Sequence, residues 1–331
     1  MRKLISIVTP CFNEEDNVDE LCSRIAQVME HQPYDYEHIL IDNCSSDRTV
    51  ERVKAIAQRD SRVKLIVNAR NFGHIRSPYY GILQSRGDAC VQIASDLQDP
   101  PEMIPEFIKK WEEGYKAVFA VKPESEESAL MFWLRRSYYR FIARISEVSL
   151  VQNATGAGLF DKALVDVLRD LRDPYPYFRG LVCEIGFPIA TVPFRQPRRK
   201  RGVTKNNFYT LYDMAMLGIT NHSKVPLRLM TMAGFALSIL SLVIAFGFLV
   251  AKLLFWNLFQ VGIAPVLIGL FFFGGIQMFF IGLLGEYVGA IHTQVRNMPL
   301  VVESERVNFD KGRGTSNDDN EIVGERDRAR I

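Results

Sequence analysis

Apolar positions in roughly the first 125 residues come in short runs separated by amphipathic stretches, the alternation expected of strands and helices taken in turn. Residues 4–8 predict a buried strand. The acidic run Asn13-Glu14-Glu15-Asp16 then opens a helix reaching Glu30, with carboxylates at its positive end. Further strands are predicted over 38–41, 63–67, 89–94 and 117–121, so the pattern is α/β with a doubly wound sheet. The first, second and fourth strands each run into a polar cluster, at 9–14, 42–47 and 95–99. Ligands of open α/β sheets bind beyond the carboxyl ends of the strands, so the three clusters are expected to converge on one site.

The pattern changes late in the chain. Residues 230–251 carry no charge, and neither do residues 253–285. A membrane span needs about 20 apolar residues, which predicts two transmembrane helices over 227–254 and 261–289, with Trp256, Asn257 and Gln260 in the connection. Runs of this length with almost no polar interruption disfavour a pair of helices buried in a soluble core. Lys224 and Arg228 precede the first span and Arg296 follows the second, against Lys252 alone in the connection. The positive-inside rule then puts both termini in the cytosol. Residues 207–226 place Phe208, Leu211, Tyr212 and Ala215 at helical spacing, consistent with an amphipathic juxtamembrane helix or with packing on the first domain. Residues 303–331, charged and short of large apolar side chains, predict a disordered cytosolic tail. Small residues of the second span, Gly274-Gly275 among them, suit close helix packing and hence a homo-oligomer.

Composition narrows the class. Forty basic against 38 acidic residues in 331 leave a formal charge of +2, which excludes a dedicated nucleic-acid binder. Five cysteines, odd in number and without paired spacing, suggest neither a disulfide framework nor a zinc site and fit a reducing compartment. The first apolar run is too short for a signal peptide, so residues 1–206 are expected to form a cytosolic domain.

No glycine-rich phosphate loop follows the first strand, so a phosphate must be held otherwise. A divalent cation on Asp96, with Gln98 and Asp99 nearby, would bridge a pyrophosphate. Six cations at Arg195, Arg198, Arg199, Lys200, Arg201 and Lys205 form a segment suited to phosphate capture or to attraction by anionic lipid.

TPCFNEE (9–15), IDNCSSDRT (41–49), RNFG (70–73) and SDLQDPPE (95–102) resemble the successive motifs of family 2 glycosyltransferases. Within that family they are similar to the polyprenyl-phosphate sugar transferases, the group of dolichol-phosphate mannose synthase and the bacterial undecaprenyl-phosphate glucosyltransferases. The resemblance covers roughly residues 4–290. It implies a GT-A-type nucleotide-sugar domain with a mostly parallel twisted sheet and flanking helices, followed by the two spans. The implied activity is inverting transfer of a sugar from a nucleoside diphosphate, UDP before GDP, to a polyprenyl phosphate at the bacterial inner membrane, for cell-envelope glycans. The nucleotide sugar is placed against Pro10, Phe12, Asn13, Glu14, Asp42, Asn43, Asn71, Ser95 and Asp96, and Mg2+ or Mn2+ against Asp96 and Gln98. Arg199, Gly202, Thr204 and Lys205 match an R-x-x-G-x-[ST]-K element that closes over the phosphates, and Arg179 of PYFRGL is a further phosphate ligand. Asp96, Arg179, Arg199 and Lys205 are thus the catalytic candidates.

The chain departs from the family at Ala94, where many members carry the first carboxylate of an Asp-x-Asp, at Asn43, where many have aspartate, and at 156–158, where an acidic residue is replaced by small ones. A lipid phosphate is already ionised and needs no general base, so this loss fits a phosphate acceptor. Two alternatives stand beside it. One is a membrane-tethered enzyme adding a sugar to a glycan hydroxyl, for which Glu184 is the candidate base. The other is a non-catalytic nucleotide-sugar-binding scaffold.

Overall fold

The computed structural model describes residues 2–122, 151, 153–194, 225–254, 263–296 and 298–309. Five strands arise where the apolar runs predict them: β1 (Leu4–Cys11), β2 (Asp35–Asp42), β3 (Val63–Asn68), β4 (Ala89–Gln92) and β5 (Ala117–Val121). Between and after them lie α1 (Val18–Glu30), α2 (Thr49–Arg59), α3 (Gly73–Leu83) and α4 (Ile104–Glu112). Then follow β6 (Ala154–Asp161), α5 (Lys162–Leu171), α6 (Phe178–Ile185) and β7 (Ile189–Pro193). The long helices α7 (Val225–Leu254) and α8 (Ile263–Arg296) precede a final strand, β8 (Glu303–Val307).

The strands form one mixed sheet in the order β7-β5-β6-β4-β1-β2-β3-β8. β1 pairs in parallel with both β2 and β4, and β2 in parallel with β3, which makes the centre of the sheet doubly wound. β6 runs antiparallel between β4 and β5, and β7 is parallel to β5. Register decides where the polar clusters fall. Leu4 lies opposite Asp35 and Cys11 opposite Asp42, so the turns leaving β1 and β2 emerge side by side.

Alternation along the strands feeds two faces. On one, Ile5, Ile7 and Val91 pack under Leu21, Ile25 and Met29 of α1 and Phe107 and Trp111 of α4. On the other, Val8, Ile39 and Ile41 meet Tyr79 and Ile82 of α3 and Leu164 and Leu168 of α5. α1 is held by an apolar stripe, Val18, Leu21, Cys22, Ile25 and Met29, on a helix whose remaining positions are mostly polar. α3 sits so close to the sheet that a Cβ at Gly81 would lie 2.7 Å from Val8 Cγ1. α5 begins at Asp161, whose carboxylate accepts from the Ala163 N–H at 2.9 Å and from the Trp111 indole at 2.7 Å, capping the helix and tying it to α4.

The disorder expected for 303–331 is corrected at its start. β8 pairs antiparallel with the edge of β3, from Val307 opposite Leu65 to Glu303 opposite Asn68. Lys54 reaches Glu305 at 2.6 Å, Tyr80 donates to Glu303 at 2.7 Å, and Asn308, at φ 63°, donates to the Ala57 and Val63 carbonyls. An edge strand offers unpaired backbone groups that any β-capable segment can take, whatever its charge.

α7 and α8 run to 30 and 34 residues, about 45 and 51 Å at 1.5 Å per residue. Their apolar side chains face outward, Phe235 70% and Phe279 67% exposed. Among the described residues, one helical stretch, Phe272–Arg296, is long and apolar enough to cross a membrane. The juxtamembrane helix expected over 207–226 lies almost wholly outside the described residues.

Candidate active site

The turn after β1 and the turn after β2 are laced together by backbone donors and side-chain acceptors. Asn13 N–H donates to Ser45 Oγ at 2.8 Å, Ser46 N–H donates to Asn13 Oδ1 at 2.8 Å, and Glu14 N–H donates to Thr49 Oγ1 at 2.8 Å. Ser45 in turn donates its N–H and its hydroxyl to the two oxygens of Asp42. Asp42 is fully buried, and burial raises its pKa against the lowering effect of Ser45. Asn13 and Cys44 both take left-handed backbone, at φ 56° and 65°, which folds the two turns toward each other. Asn13 and Asp42 are thus joined through Ser45, and Glu14 approaches through Thr49. Pro10, Phe12 and Glu14 are partly exposed along this rim.

Asn43 is bonded to the loop that follows β3. Its Nδ2 donates to Asn71 Oδ1 at 2.9 Å and to the Gly73 carbonyl at 3.2 Å, while its Oδ1 accepts from Phe72 N–H at 2.9 Å and Asn68 Nδ2 at 3.2 Å. A carboxamide has two donor hydrogens and two acceptor lone pairs, and all four are used. Asn43 therefore shapes the 68–73 loop beside the nucleotide rim. Asn71, whose Oδ1 also accepts from Gly73 N–H at 2.8 Å, stays exposed at the rim.

Beyond β4 the chain turns sharply. Leu97 is left-handed at φ 58°, and Gln98 N–H donates to Asp96 Oδ1 at 3.1 Å. Ser95 and Asp99 are buried on either side of Asp96, at 6% and 5% exposure. The pKa of Asp99 is pushed up to about 6, first by burial and then by the Asp96 charge, with Lys122 and Arg179 acting in the opposite sense. Its Oδ1 has no hydrogen-bond partner. Asp99 belongs to this site although the resemblance assigned it no role; its place in the acidic cluster after the fourth strand was the available signal.

On the neighbouring side lies a pocket of about 140 Å³. Ile75, Pro78, Ile82 and Phe178 give it an apolar floor, and Gln92, Thr155 and Arg179 give it polar edges. Arg179 comes from the first turn of α6, while Glu184 sits five residues on, about 140° around the helix axis, and is exposed and absent from the pocket lining. Among the described residues, Arg179 lines the pocket and Glu184 does not. The small residues at 156–158 divide by role: Ala157 is buried in the core, Gly158 lies against the Val118 carbonyl of β5, and Gly156 is exposed beside the pocket. Arg199 and Lys205 lie outside the described residues. Among the described residues no group of three or more His, Cys, Asp and Glu side chains stands ready for a metal.

The sheet thus gathers its polar turns at the carboxyl ends of β1, β2 and β4, with a buried acidic turn following β4, and the class of protein follows from its relatives. The family model for glycosyl transferase family 2 matches residues 6–167. An uncharacterized glycosyltransferase of Synechocystis is 32% identical over 302 residues, 91% of this chain and 95% of that protein. An uncharacterized glycosyltransferase of Bacillus subtilis is 33% identical, covering 90% and 92%. A bactoprenol glucosyl transferase of Shigella phage SfII is 31% identical, covering 92% and 99%. The chain belongs to glycosyl transferase family 2.

Proposed function

We propose that the protein transfers a sugar, with inversion, from a nucleoside-diphosphate sugar, UDP before GDP, to a polyprenyl phosphate at the cytosolic face of the bacterial inner membrane. The observation that carries the choice of acceptor is the pocket: an apolar floor with Arg179 at its edge suits a phosphate attached to an isoprene chain. Its wall is tied to the apolar helix, since Gln294 near the end of α8 donates to Asp173 Oδ1 at 3.1 Å, three residues before Pro176 of the lining. The similarity to a bactoprenol glucosyl transferase over most of both chains supports the same reading.

The chemistry asks little of the protein beyond charge and position. A phosphate oxygen of the lipid attacks the anomeric carbon from the face opposite the nucleotide. The bond from that carbon to the diphosphate oxygen breaks, and its electron pair leaves with the nucleoside diphosphate. Pro10, Phe12, Asn13, Glu14, Asp42 and Asn71 line the nucleotide rim, with Ser95 beside Asp96. Asp96 and Gln98 would hold Mg2+ or Mn2+, hard cations suited to oxygen donors. When bound, such a cation neutralises charge on the departing diphosphate. Arg179 orients the acceptor phosphate, and Arg199 and Lys205 add positive charge for the phosphates. No proton has to be removed from the acceptor, so this reading requires no general base. In this reading α7 and α8 both cross the membrane and keep both termini cytosolic.

The test is Asp96→Ala in the full chain. Transfer is expected to fall by at least 100-fold, the scale of losing a principal charge-stabilising contact, while the protein remains folded and membrane-bound. Turnover at the wild-type rate would remove the metal assignment.

A further inference from the structure

Position 94 is alanine, so the acidic turn after β4 has no carboxylate where the family pattern supplies the first of its pair. The turn nevertheless holds a second one. Asp99 is 5% exposed, and its Oδ1 is enclosed with no hydrogen-bond partner. A buried carboxylate oxygen left unpaired is costly, and such groups in native proteins mark a ligand or ion that completes them. Asp96 stands three residues earlier in the same turn, its Oδ1 accepting from the Gln98 N–H at 3.1 Å. The left-handed Leu97, at φ 58°, turns the chain between the two carboxylates. A divalent cation shared by two carboxylates offsets their repulsion.

We propose that Asp99 is the second protein carboxylate of the cation site, acting with Asp96 in place of the one missing at position 94. The proposal rests on the metal-assisted transfer reading above. Asp96, Asp99 and the Gln98 amide oxygen make an all-oxygen donor set, suited to Mg2+ or Mn2+ and too small to enclose either. Such ions keep coordination positions for substrate phosphates and water, so the remaining ligands come from the donor diphosphate. Arg179 lines the pocket assigned to the acceptor phosphate.

The experiment is Mn2+ binding to the detergent-solubilised full chain, followed by electron paramagnetic resonance with and without UDP. In Asp99→Asn, Mn2+ affinity in the presence of UDP is expected to fall at least tenfold, as in Asp96→Asn, while UDP binding without metal stays unchanged. Asp99→Cys provides a second route if the asparagine variant does not fold. A thiolate at this position is expected to raise Cd2+ affinity above wild type while lowering that for Mn2+. Wild-type Mn2+ affinity in Asp99→Asn, with Asp96→Asn defective, would overturn the role of Asp99 and leave the metal reading standing. Absence of UDP-dependent Mn2+ binding in the wild-type protein would overturn both.

Discussion

Asn43 decides the shape of the loop that carries Asn71, because each of its four hydrogen-bonding positions is spent on residues 68–73. Truncating it leaves the Phe72 N–H without its acceptor and takes from the buried Asn68 amide one of its two, the other being Ser77 Oγ. Asn43→Ala is expected to cost about 1–3 kcal/mol of stability, the range for orphaning buried polar groups, and to raise the KM for donor more than it lowers kcat. Denaturant unfolding and steady-state kinetics check the two halves separately, and unchanged stability would mean the loop holds its form without this side chain. The same residue marks a limit of reading single positions. The sequence places Asn43 beside Asp42 in a polar cluster, which is correct, but nothing in the string says that its partners come from a loop 25–30 residues further on. Asp99 differs: its location was legible, and its burial and unpaired oxygen were not, because they depend on how the turn at Leu97 closes.

At the scale of elements, legibility follows hydrophobic contrast. The strands predicted over 63–67 and 117–121 form within a residue of expectation because each is a dense apolar run. β1 runs on to Cys11, past Pro10, a residue that lacks a backbone donor and reads as the start of a turn. β8 was invisible for a different reason. Its sequence, ESERV, has little apolar content, and it is held by backbone pairing to β3 and by ion pairs, which hydropathy does not register. Asn308, donating to two carbonyls from a left-handed position, anchors the end of this strand. Asn308→Ala is expected to destabilise the β3 edge by roughly 1–2 kcal/mol and to speed amide exchange in β8 and β3 while leaving β1 and β4 protected. Uniform exchange across the sheet would show that β8 has no separate hold on the edge.

Across the whole molecule, the chain leaves the catalytic sheet, passes through two long apolar helices and returns to pair with the same sheet at β3. In the proposed reading, donor and acceptor meet between the rim of the β1 and β2 turns and the pocket. The pocket wall is bonded to the end of the second long helix. The length and lack of charge in the apolar segments were plain in the sequence, and so was the order of strands feeding the site. The pocket was not, because it is built from α3, β4, the start of β6 and the segment entering α6, four stretches spread over more than 100 residues.

The central claim is that the acceptor is a lipid phosphate. Purified full-length protein incubated with a panel of radiolabelled UDP- and GDP-sugars, undecaprenyl phosphate and Mn2+, then partitioned between water and organic solvent, tests it most directly. Label from one donor is predicted to enter the organic phase in the presence of the lipid phosphate and to stay in water when the lipid carries a free hydroxyl instead. Label remaining in the aqueous phase for every donor would contradict the account.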